Sequence, residues 1–117
     1  MGVPLHLGSE CLHLIFSNGG ASGVTAAIPA VAGQTAAIYR MILTCVGASN
    51  VTIQDTTAVA LSQAFAFSAS GGSITIDIPI NGDPWWQSVA GRGISINSSG
   101  AVQVSADIWY LQRSALP

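Results

Sequence analysis

The sequence predicts an all-β fold, an antiparallel β-sandwich or barrel of jelly-roll type with seven to eight short strands. Apolar and polar residues alternate with a period of two along most of the chain. Clusters of Gly, Asn and Ser cut that alternation every few residues, and no segment carries a helical period long enough to compete. At 117 residues the chain makes one domain, long enough to bury roughly two thirds of its unfolded surface. Residues 1–10, with Pro4 and Gly8, have no sustained periodicity and read as an extended arm that reaches a neighbour. Residues 11–117 read as a single β-sandwich domain.

From Cys11 to Phe16, Leu12, Leu14 and Phe16 share one face while Cys11, His13 and Ile15 share the other, and Asn18-Gly19-Gly20 ends the strand. Residues 24–28 form a short second strand, followed by a turn or edge segment at Pro29–Gly33. Residues 37–46 are apolar on both faces, interrupted only by Arg40 and Thr44, which predicts a central strand covered on both sides. Val51-Thr52-Ile53-Gln54 makes the next strand, and Val59 to Phe67 a further one with a bulge. Ile74, Ile76, Ile78 and Ile80 alternate with Ser73, Thr75, Asp77 and Pro79, one dry face against one wet face. After a tryptophan loop come Ile94 and Ile96, then a last strand with Val102, Val104, Ala106, Ile108 and Tyr110 on one side.

That loop, Asp83 to Gly91, is the centre of the sequence pattern. Pro84 keeps Asp83 extended, so the chain enters Trp85 in a defined direction. Two adjacent indoles in an extended segment cannot both point inward. Either one plugs the end of the core and the other is left to meet a partner, or both indoles simply cap the core.

Composition narrows the function. Only 7% of residues are charged, against about 25% in an average soluble domain, while 50% are hydrophobic. The cations are Arg40, Arg92 and Arg113, with no lysine, and the net charge is -2. No basic patch exists for a phosphate backbone, so nucleic acid is not a partner. Membrane insertion is not expected, because no apolar run approaches the roughly 20 residues of a spanning helix. The first residues lack the basic and apolar regions of a secretory signal, which predicts synthesis in a cytoplasm. A surface this poor in charge suits a subunit of an assembly. Arg40, the one charge in an apolar strand, needs a partner, and Asp77 and Asp107 are the candidates.

Nothing in the pattern carries catalysis, and no cofactor is expected. His6, Glu10, Cys11 and His13 lack the paired short spacings of a zinc site. Asp55, Asp77, Asp83 and Asp107 are scattered over different strands and turns, and no nucleophile elbow is present. Cys11 and Cys45 read as thiols of strand segments rather than a disulfide.

From Tyr39 to Tyr110, about two thirds of the chain, the order of features resembles small tailed-bacteriophage virion proteins of the capsid decoration (cement) and head-fibre type. The residues that carry the resemblance are Ile38-Tyr39-Arg40-Met41-Ile42-Leu43, Val51-Thr52-Ile53 and Gly71-Gly72-Ser73-Ile74. Pro84-Trp85-Trp86, Ile94-Ser95-Ile96-Asn97, Val102-Gln103-Val104-Ser105 and Trp109-Tyr110 complete them. The resemblance implies a β-sandwich, trimeric with itself, on the outer surface of a phage capsid, where it binds between major capsid proteins. Tyr39, Arg40, Trp85, Trp86, Trp109 and Tyr110 are the candidate interface residues. The alternative is a carbohydrate-binding or host-adhesion module of a phage head or tail fibre, with Trp85, Trp86 or Trp109 stacking on sugar rings and Asp83 as the local acid.

Overall fold

The computed structural model describes residues 11–79 and 82–114. The arm expected at residues 1–10 lies outside them. Nine strands form among the described residues: β1 (Leu12–Ser17), β2 (Gly23–Ile28), β3 (Gln34–Cys45), β4 (Ser49–Asp55), β5 (Phe65–Phe67), β6 (Gly72–Ile76), β7 (Trp86–Gln87), β8 (Ile94–Ser98) and β9 (Val104–Ser114). They make two antiparallel sheets, one ordered β1-β9-β3-β6 with β7 also on β3, the other β2-β8-β4-β5. The sheets do not close into a barrel, so of the two expected forms the chain adopts the open one. The pairing is nested. β1 lies on β9, β2 on β8, β3 on β6 and β7, and β4 on β5.

Nine strands appear where seven to eight were expected because the tryptophan segment, expected as a loop, contributes the short strand β7. The alternation over residues 73–80 predicts a strand of that length, but β6 stops at Ile76. Beyond it the Asp77 carbonyl is taken by the Trp85 indole N–H, and Pro79 has no N–H to offer a ladder. The chain returns to β3 as β7. There the Trp85 amide donates to the Ile38 carbonyl and the Ser88 amide to the Ala36 carbonyl, both at 2.9 Å. The tryptophan segment is thus partly strand, not wholly loop.

β3 meets its expectation only before the bulge. Its apolar run looks two-sided in sequence, yet a bulge between Ile38 and Arg40 changes the phase of the strand. Ala36 and Ile38 point into the core before it, and Met41, Leu43 and Cys45 point into the same core after it. On the other face Arg40 and Ile42 are half-buried and Thr44 is exposed. Thr35 to Tyr39 are buried on both faces, as the two-sided run predicts, and only after the bulge, where the inward phase shifts by one, does the outer face open at Arg40, Ile42 and Thr44.

The core lies between the sheets. Leu14 and Phe16 of β1, Ile38, Met41 and Leu43 of β3, and Val104, Ala106 and Ile108 of β9 meet Ile28, Val51, Ile53, Ile94 and Ile96 of the other sheet. Full burial of each such side chain contributes about 1.5–3 kcal/mol.

The strand expected over Val59 to Phe67 is reduced to Phe65–Phe67. Asp55 explains the loss. Its Oδ1 accepts hydrogen bonds from the Thr57 amide at 2.8 Å, the Thr57 hydroxyl at 2.7 Å and the Val59 amide at 3.0 Å, and its Oδ2 faces Arg92 Nη1 at 3.0 Å. The carboxylate winds residues 55–59 into a turn, and the Leu61 and Ser62 amides then both donate to the Ile53 carbonyl. Nearby, Gly93 admits no side chain, since a Cβ there would stand 2.0 Å from the Ile28 carbonyl oxygen.

Candidate interaction surfaces

Because β1, β9, β3 and β6 pair in register, the outer face of their sheet is laid out in transverse rows. His13 of β1 faces Trp109 of β9, and Trp109 faces Arg40 of β3. Met41 pairs with Ile76, so Asp77, one step further, continues the row. The contacts along it are direct. The His13 ring stacks on the Trp109 indole with centroids 4.6 Å apart and planes at 25°. The Arg40 guanidinium carbon lies 4.4 Å from the centroid of the same indole, and its Nε donates to Asp77 Oδ1 at 2.9 Å. His13 Nε2 is 3.0 Å from Asp107 Oδ1, a diagonal contact into the next row.

That next row runs Ile15, Asp107, Ile42, Thr75, and the one after it Ser17, Ser105, Thr44, Ser73. Ile15 is 78% exposed, the most open large apolar side chain among the described residues. Between Ile15, Ile42, Thr44, Ser105 and Asp107 lies a shallow depression of about 90 Å³. The face is therefore apolar, aromatic and hydroxylic, with each of its charged groups lying against another group of the same face.

The expected partner of Arg40 is Asp77, while Asp107 turns instead to His13. Tyr39, at the bulge, is only 5% exposed. Burial pushes its phenol above the ordinary tyrosine range, and the neighbouring Arg113, which hydrogen-bonds it, pulls the other way. Tyr110 points inward opposite Ile38 and packs against the core. Trp109 and Tyr110, adjacent in sequence, thus serve opposite sides of the sheet.

The tryptophan pair divides. Trp86 packs against the core and meets Phe65 edge-on, with centroids 6.1 Å apart at 71°. Trp85 remains 49% exposed, with its indole N–H donated to the Asp77 carbonyl. Between β5 on one sheet and β6 and β7 on the other, the edge of the sandwich is open. Both indoles line a groove of about 520 Å³ there.

His6 and Glu10 lie outside the described residues, and among those described no three His, Cys, Asp or Glu side chains cluster as metal ligands. Cys45 is a buried thiol 3.3 Å from the Gly47 carbonyl. Among the described residues no helix is long and apolar enough to cross a membrane. Burial raises the pKa of Asp55, but the Thr57 hydroxyl, the Val59 and Thr57 amides and Arg92 outweigh it and hold the carboxyl down at about 2. This pair ties the start of β8 to the end of β4 and has a structural role. Sequence reasoning missed it, although Asp55-Thr56-Thr57 carries the signal of a side-chain-capped turn. Compared with models of known protein families and with curated proteins, the chain matches none.

Proposed function

We propose that the chain is a structural virion protein that decorates a bacteriophage capsid, binding between major capsid proteins as a homotrimer, and that it is not an enzyme. The outer surface of the capsid is its place in this reading. The fold we assign is the jelly roll. In support, β6 and β7 lie along β3 as two parts of one strand, which leaves eight strands paired first with last, second with next to last, and so inward.

The observation that carries the assembly reading is the outer face of the β1-β9-β3-β6 sheet. Arg40 with Asp77 and His13 with Asp107 are matched to each other and to Trp109, beside exposed Ile15. Covering the rows around Trp109 leaves Arg40 with Asp77 and Asp107 with His13 as hydrogen-bond partners, which reduces the cost of burying these polar groups at an interface. Its Trp and Arg are the residue types that dominate binding energy at contacts. The sequence resemblance to decoration and head-fibre proteins supplies the partner, a capsid surface with local threefold symmetry.

The test is light scattering of the isolated protein together with binding to undecorated capsids, for wild type, Ile15→Asp and Trp109→Ala. The reading expects a trimer and capsid binding in the wild type. Ile15→Asp, at a site open to water in the single chain, should lose association while keeping its β-sheet signal. A monodisperse monomer that binds no capsid would overturn the proposal.

A further inference from the structure

The open edge of the sandwich carries a second surface, which borders the sheet face just described at Thr75 and Asp77. We infer that the groove between β5 and β6–β7 is a binding site for a neutral saccharide. This does not rest on the capsid reading, and either holds without the other.

The groove has the two halves a sugar ring requires. A pyranose presents C–H bonds on its faces and hydroxyls around its rim, so its site needs an aromatic surface next to acceptors and donors. Phe65, Ile76 and Trp86 supply an apolar wall, and Trp85 stands half-exposed beside them. The Trp85 indole does not need ordering by the ligand, since its N–H is already bonded to the Asp77 carbonyl. A preset platform reduces the entropy lost on binding. Gln63 brings an amide, Ser62 and Thr75 bring hydroxyls, and the Asp77 carboxylate brings acceptors with its side chain 77% exposed.

Charge selects among ligands. Among the described residues Asp77 is the only charged one lining the groove, and Arg40 Nε at 2.9 Å already balances it from the sheet side. Among the described residues the groove has no uncommitted cation for a phosphate, sulfate or sugar acid, and no unbalanced anion for an ammonium group. A neutral, hydroxyl-rich ligand meets both conditions. Its volume of about 520 Å³ falls in the ordinary range for small-ligand clefts, and its open side leaves a chain of sugars free to continue outward.

Saturation-transfer NMR and calorimetry with neutral mono- and oligosaccharides test the inference, on wild type, Trp85→Ala, Gln63→Ala and Trp109→Ala. Wild type should bind at least one neutral sugar in the millimolar range. Trp85→Ala should weaken it about tenfold or more, as loss of an aromatic anchor does. Trp109→Ala, at a residue that does not line the groove, should leave sugar binding unchanged. Gln63→Ala alters an exposed loop side chain and serves if Trp85→Ala loses its fold; it should weaken binding severalfold. No binding by wild type at tens of millimolar, a preference for anionic sugars or apolar peptides, or binding unaltered in both groove variants would each overturn the inference.

Discussion

The guanidinium of Arg40 lies 4.4 Å from the centre of the Trp109 indole, and the His13 ring stacks on that indole at 4.6 Å. One aromatic ring thereby joins β1, β9 and β3 on the outside of the sheet, where no core packing reaches. Cation–π contacts contribute about 0.5–1 kcal/mol at exposed sites and more where water is excluded.

A double-mutant cycle isolates that contact. Arg40→Met and Trp109→Leu should each lower unfolding free energy in urea by about 1 kcal/mol, with a coupling of about 0.5–1 kcal/mol between them. The Arg40–Asp77 pair adds less, because Asp77 is mostly in water. Zero coupling would show that the two groups touch without stabilising the sheet.

Asp55 sets the response to acid. Its carboxyl is held at about 2 in the fold, against an ordinary 3.8, so its contribution to stability is complete above pH 3.8 and is lost as pH falls through 2. Unfolding free energy measured between pH 5 and 2 should decline in wild type. In Asp55→Asn, which cannot ionise, the decline should be shallower and stability at neutral pH lower.

Tyr39 acts at the other end of the scale. Burial raises its phenol above 10, so the contribution of its neutral form is complete below pH 10 and is lost as pH rises through the folded value. Absorbance titration near 295 nm should show a tyrosine that ionises late, and Tyr39→Phe should remove that phase.

Gly93 tests packing between strands. A methyl group there meets the Ile28 carbonyl and the start of the following turn, so Gly93→Ala must move backbone. A loss of about 1–3 kcal/mol is expected, read from thermal melts, with the β2–β8 pairing the part disturbed.

Much of the sandwich was legible in the sequence because period-two alternation and Gly-rich turns report local geometry. Leu14 and Phe16, Ile94 and Ile96, and Val104, Ala106 and Ile108 are core positions readable from alternation alone. What could not be read depended on partners distant in sequence. Nothing around Tyr39 marks a bulge; it emerges only when β3 is laid against β9, two residues of one strand opposing one of the other. The row from His13 to Asp77 depends on that extra residue, since without it Arg40 would point into the core. Asp77 was named beforehand as a partner for Arg40 on charge alone, whereas the indole between His13 and Arg40 required the register. The groove was hidden for a similar reason. Phe65 and Trp86 belong to different sheets, and only the sandwich edge brings them together.

The nested pairing sets an order of events during synthesis. Among the described residues β1 pairs with β9 alone, and β9 ends at Ser114. When Leu12–Ser17 leaves the ribosome, its pairing strand has not yet been made. The open edge of β1, with Leu12 and Ile15 and no charged side chain, waits until β9 has been made. Long-range antiparallel pairing is slow to form and exposes unpaired edges while it does so. Closure of this sheet therefore waits for residues 104–114, and a nascent chain stalled before residue 104 should be open to protease in a way the folded domain is not.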